Sequence, residues 1–98
     1  MIFLNNTELM NYWIKTSDDD YDTMKLLQKN NKNTYSLFLG HLVIEKLLKR
    51  LYAKYNYDNP YAIKSHNLLL LAEKCNLELN STQIEQLQII TQFNISAR

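Results

Sequence analysis

The chain has 98 residues, enough for one domain with one modest core, and its 46% hydrophobic and 21% charged residues exclude both a disordered and a membrane-embedded chain. Eleven basic against ten acidic side chains leave a net charge of +1, which excludes capture of nucleic acid by a global field; any such contact must be local. Glycine and proline occur once each, as Gly40 and Pro60, which excludes the frequent turns of a β-sandwich or barrel and points to few, long elements.

The opening Met1-Ile2-Phe3-Leu4 is apolar but too short for a signal sequence, and no basic stretch precedes it. Nowhere does the chain approach the roughly twenty apolar residues of a membrane span, so no membrane partner is expected. Asn6 or Thr7 is placed to cap a first helix, because a short side-chain oxygen accepts from an orphan N–H of the first turn. Its stripe is Leu9, Trp13, Tyr21, Met24 and Leu27, with Leu26 beside it; Asp18-Asp19-Asp20 interrupts that stripe and reads as a solvated face.

An asparagine-rich turn, Asn30-Asn31 and Asn33, separates this helix from a second, roughly Thr34 to Tyr55, with Asn33 or Thr34 as its cap. Tyr35, Leu37, Phe38, Leu39, Leu42, Val43, Ile44, Leu47, Leu48, Leu51, Tyr52 and Tyr55 cover most of its circumference at about 100° per residue. Such a helix is covered on more than one side and is the hub of a bundle. Pro60 disfavours helical geometry at Asn59 and closes that segment. Ser65 or His66 opens a short third helix with Leu68, Leu69, Leu71 and Ala72 facing inward, and Asn76 to Ser81 turns the chain again. Ser81 or Thr82 caps a fourth helix, with Glu85 three residues after Thr82 as in a capping box; Ile84, Leu87, Ile90 or Thr91, and Ile95 form its stripe. The fold expected is all-α, an up-and-down bundle of four helices.

One group carries the chemistry. His41, Glu45 and Lys49 are spaced four apart and form one stripe on the central helix, between Leu48 and Tyr52 on one side and Phe38 and Leu42 on the other. Ionisable groups there lose water, so each needs a partner. Two readings stand side by side: a structural Glu45–Lys49 pair with His41 bonded to a carbonyl, or a polar site at a groove or dimer seam, since perturbed groups gather at sites. His66, in Lys64-Ser65-His66-Asn67, is either a polar element of a helix cap or an imidazole placed to handle a proton or a phosphate. Tyr52, Tyr55, Tyr57 and Tyr61 alternate with Lys49, Arg50, Lys54 and Lys64 in the manner of nucleic-acid surfaces, though tyrosines at helical spacing also build cores and interfaces. The lone Cys75 excludes an intramolecular disulfide and suits the cytoplasm; no Cys/His spacing suggests a metal. No catalytic triad, P-loop, glycine-rich phosphate loop or paired-carboxylate motif is present, and no cofactor is expected.

The stripe starting near Trp13, the block His41-Leu42-Val43-Ile44-Glu45-Lys46-Leu47-Leu48-Lys49, the step Ser65-His66-Asn67-Leu68-Leu69-Leu70-Leu71, and Ala97-Arg98 together resemble the HEPN domain over roughly residues 10 to 98. The resemblance implies a bundle of four to five helices forming one domain over residues 1–98, with the last helix lacking. It also implies a symmetric homodimer in a prokaryotic setting, often beside a minimal nucleotidyltransferase in a toxin–antitoxin pair. Many HEPN proteins are metal-independent ribonucleases with an Arg-x4-6-His motif. That motif is missing here, since Arg50 precedes His66 by sixteen residues, while Arg98 matches the arginine that follows the fourth helix in many small members. What the resemblance implies is a non-catalytic component that binds a nucleotide or a nucleotidyltransferase partner through His41, Glu45, Lys49, His66 and Arg98. A ribonuclease acting on RNA through a site shared across a dimer, and a dimeric scaffold with no ligand site, are the alternatives.

Overall fold

Asn5, rather than Asn6 or Thr7, caps the first helix: its side chain accepts from the Glu8 N–H at 2.8 Å, and Glu8 accepts in return from the Asn5 N–H at 3.2 Å. The computed structural model describes residues 5–56 and 65–96, with side chains described as far as residue 92. Four α-helices make up these residues: α1 Asn6–Lys29, α2 Asn33–Tyr55, α3 Leu68–Lys74 and α4 Ser81–Ser96, with no strand among them. Pro60 and the arginine at the end of the chain lie outside the described residues.

The asparagines do the turning, as expected. Asn31 and Asn76 both hold positive φ, 60° and 58°, a region that asparagine enters more readily than most side chains. Asn80 caps α4, where Ser81 or Thr82 was expected: Asn80 accepts from the Gln83 N–H at 2.8 Å and Gln83 accepts from the Asn80 N–H at 3.0 Å. Both capping boxes sit one or two residues before the predicted position, because runs of cap-competent residues precede each helix. Helix α2 has Lys32 at its cap position without a side-chain hydrogen bond, so neither Asn33 nor Thr34 serves there.

Helix α2 is the hub. It packs on α1, α3 and α4, whereas α1 packs on no other helix among the described elements. The apolar core lies on the side of α2 away from α1: Leu48, Leu68, Leu71 and Ala72 are buried, with Ile44, Leu79, Leu87 and Ile90 packed against them. Leu69 is only half-buried, and Ile95 of the expected α4 stripe falls beyond the described side chains. Seven residues are too few for a helix stable by itself, so α3 exists because this core holds it.

The α1–α2 seam is built differently. Small and polar residues let the backbones approach: Ser17 Oγ donates to the Val43 carbonyl at 3.3 Å, Ser36 Oγ to the Met24 carbonyl at 3.2 Å, and Asn6 Nδ2 to the Ala53 carbonyl at 2.6 Å. Gly40 faces Met24 across the same seam. The acidic run of α1 splits, with Asp18 and Asp19 exposed and Asp20 turned toward α2, where it accepts from Lys46. The expectation that all three aspartates are solvated therefore fails for Asp20, which has found a cation on the hub helix.

Candidate functional site

The stripe on α2 is buried from its first member onward. His41 is fully buried and Glu45 is 4% exposed, while the side chain of Lys49 is 15% exposed, so the stripe runs from the core toward the surface. A carboxylate at that depth needs donors, and Glu45 has two. Lys49 Nζ donates to Oε2 at 3.0 Å, and His66 Nδ1 donates to Oε1 at 2.8 Å. The Lys49 bond is an i, i+4 pair within one helix; the His66 bond joins the segment before α3 to α2.

His41 adds a third link between the same two elements. Its Nε2 donates to the backbone carbonyl of His66 at 2.8 Å, since a carbonyl can only accept. That assignment leaves the His41 Nδ1 as a lone pair when the ring is neutral. Nδ1 stands 3.7 Å from Glu45 Oε1 and, buried, has no hydrogen-bond partner. Residues one turn apart on α2 thus hold His66 twice, His41 by its backbone and Glu45 by its ring. The His66 side chain remains 50% exposed and brings the network to the surface.

The segment is fixed from its other end as well. Asn67 caps α3, accepting from the N–H groups of Leu69 and Leu70 at 3.1 and 3.2 Å, and Ser65 Oγ accepts from the Asn67 N–H at 3.0 Å. Thr91 of α4 accepts from the Leu68 N–H at 3.1 Å while donating to the Leu87 carbonyl at 2.7 Å. His66 thus precedes α3 by two residues instead of opening it, and α2, α4 and the Asn67 cap all constrain its place. On the far side, Lys49 Nζ lies 5.5 Å from the centre of the Trp13 ring, so α1 closes the network with an aromatic face.

Of the five site residues read from the sequence, four come together in one bonded cluster: His41, Glu45, Lys49 and His66. Arg98 lies outside the described residues. Trp13 and Thr91 were missed as members. Asn67, a cap-competent residue before a leucine run, carried a readable signal, whereas Trp13 looked like any core aromatic. The tyrosine and lysine series is not assembled by the described residues: Tyr52 is half-buried, Tyr55 is exposed beside Lys54, and Tyr57, Tyr61 and Lys64 fall outside them.

Elsewhere, burial pushes the Cys75 thiol above its ordinary 9.0, and its Sγ donates to the Leu48 carbonyl at 3.3 Å, so it behaves as a packed apolar group. Among the described residues no group of three or more His, Cys, Asp or Glu is placed to hold a metal ion, and no helix is long and apolar enough to cross a membrane.

A network tying the second helix to the entrance of the third is built from the two sequence blocks that carry the resemblance noted above. The family model for the HEPN domain matches residues 10–98. Neither a curated protein nor a solved structure matches the chain. With the match covering nearly the whole chain, and with an all-α fold around α2, the chain belongs to the HEPN domain family.

Proposed function

We propose that this HEPN protein is a non-catalytic binding component of a cytoplasmic toxin–antitoxin-type pair, one that forms a homodimer and binds a nucleotide or a nucleotidyltransferase-type partner through the Glu45 cluster. The carrying observation is that each oxygen of Glu45 accepts a bond from within, from Lys49 and from His66, while the His66 ring stays half exposed. A carboxylate so occupied is no free acid or base, which favours binding over catalysis. The exposed imidazole, with the Lys49 cation lying against Trp13, offers polar and cationic contacts to a ligand at the surface. Support for a second copy comes from the apolar groove of about 470 Å³ formed by Leu27, Tyr35, Phe38 and Leu39 with Lys32, on the helix pair that carries the stripe.

Calorimetric titration of the protein with nucleotides and with a minimal nucleotidyltransferase tests this reading. Binding that weakens in His66→Ala and Lys49→Ala supports it, and a folded wild-type protein that binds neither would sink it.

One observation favours a second reading, a metal-independent ribonuclease. A carboxylate that orients a half-exposed imidazole through Nδ1, leaving Nε2 as the lone pair, is the arrangement of a general base, suited to drawing a proton from a ribose 2′-hydroxyl. RNA cleavage that persists in His66→Ala would remove this residue from any such mechanism.

A further inference from the structure

The two histidines of the cluster are held in opposite ways. His41 donates from Nε2, because the group it faces is the carbonyl of His66. His66 donates from Nδ1, because the group it faces is the carboxylate of Glu45, whose other oxygen accepts from Lys49. A neutral imidazole carries one N–H and one lone pair, and the partner of one nitrogen decides the role of the other. Thus His41 keeps its lone pair at a fully buried Nδ1, and His66 keeps its lone pair at Nε2 of a half-exposed ring.

We propose that Glu45 locks His66 as the Nδ1–H tautomer, so that the exposed Nε2 is a fixed hydrogen-bond acceptor and the site takes its ligand through a hydroxyl. For a nucleotide this means a ribose hydroxyl, not a phosphate: a phosphate oxygen accepts and would need a proton on Nε2. The ligand class rests on the binding reading given above, whereas the tautomer rests on the geometry alone.

The lock has a built-in inversion. In Glu45→Gln the oxygen of the amide is claimed by Lys49, which has donors and no acceptor. The amide NH₂ then faces His66 Nδ1 and donates to it. Nδ1 becomes the acceptor, the ring proton moves to Nε2, and the exposed nitrogen changes from acceptor to donor with nearly the same shape.

Long-range ¹H–¹⁵N correlation of histidine-labelled protein at pH 8, where a histidine is ordinarily neutral, reads the tautomers directly, with His66→Gln used for assignment. One ring of each tautomer is expected in the wild type, His66 as Nδ1–H, and both as Nε2–H in Glu45→Gln. A wild-type His66 in the Nε2–H form overturns the proposal. In parallel, titration with adenosine triphosphate and its 2′-deoxy and 2′,3′-dideoxy analogues is expected to show a loss of about tenfold on removing the recognised hydroxyl, as for one hydrogen bond. Equal affinity for all three, or displacement by tripolyphosphate alone, overturns the hydroxyl assignment. If a folded protein binds no nucleotide, the ribose preference falls, and the binding reading fails with it when the nucleotidyltransferase is not bound either, while the spectrum still decides the polarity of His66. Should Glu45→Gln fail to fold, Lys49→Gln keeps the carboxylate and is expected to keep the Nδ1–H form; an Nε2–H ring there overturns the lock.

Discussion

His41 donates from Nε2 to the backbone carbonyl of His66 at 2.8 Å, so a fully buried ring on α2 grips the main chain of the residue whose own ring meets solvent. Replacement by leucine fills much of the same volume, deletes this bond and also deletes the unpartnered Nδ1. The two losses oppose each other, and the His66 carbonyl can turn to water. Chemical denaturation of His41→Leu is expected to show a loss of only about 1 kcal/mol. Ligand binding should fall far more than that, because the gripped segment carries His66. A stability loss above about 4 kcal/mol with intact binding would contradict this division.

The Glu45–Lys49 pair makes a different demand. Lys49→Met leaves a 4%-exposed carboxylate with one donor in place of two, and destabilisation of about 3 kcal/mol is expected, as for a broken buried pair. The double variant Glu45→Leu with Lys49→Met removes the buried charge altogether. It should recover most of the loss, since an apolar pair of similar volume often equals a buried ion pair in stability. A double-mutant cycle by urea denaturation measures the coupling, and additive losses would mean that the two side chains do not share the carboxylate's burial.

At Gly40 the expected sign is stabilising. A Cβ built there meets Met24 Sδ at 3.3 Å, a contact with the end of a flexible, half-buried side chain. Alanine in mid-helix gains up to about 1 kcal/mol over glycine. After Met24 shifts, Gly40→Ala should retain about 0.5 kcal/mol of that gain, visible as a rise of a few degrees in Tm. A lower Tm would show that Met24 has no room to give. Gly40→Val, with two more carbons in the same seam, should lower Tm.

The Cys75 thiol is raised above 9.0 by burial, which fixes two pH trends. Less thiolate at any given pH means slower alkylation by iodoacetamide than for an exposed cysteine in a peptide. For stability, the folded thiol keeps its proton where the unfolded thiol has lost it. The contribution is complete below about 9.0 and declines as the pH climbs through the folded value. Cys75→Ala should flatten that alkaline decline in a series of denaturation curves.

Much of this architecture was readable because α2 carries apolar residues on most of its circumference, although Tyr35, Leu37, Leu47 and Tyr55 of that set are exposed, and because asparagines mark each turn where glycine and proline are scarce. The helix starts were displaced for a physical reason. Asn5, Asn6 and Thr7, and again Asn80, Ser81 and Thr82, are each able to cap, and the boxes form at Asn5 and Asn80, which have Glu8 and Gln83 three residues on to bond back. In the site, the i, i+4 spacing of His41, Glu45 and Lys49 was enough to place them on one stripe. The arrival of His66 at Glu45 was not readable, since the two are 21 positions apart and the intervening path is set by tertiary packing. The same holds for Asp20 and Lys46, 26 positions apart on separate helices.

Helix α1 touches only α2 among the described elements, and it does so through hydroxyls, an amide and a glycine as well as through the buried Leu9. The apolar cluster that unites α2, α3 and α4 contains none of its residues. The protein therefore has a layer, α1, held by a single partner helix. In native-state hydrogen exchange, the amides of α1 should report a common opening free energy lower than that of the α2 amides beneath Leu68 and Leu71. The hydroxyl contacts also make this layer all-or-none in register, because sliding α1 by one turn would take the Ser17 and Ser36 hydroxyls and the Asn6 amide from their carbonyl partners together.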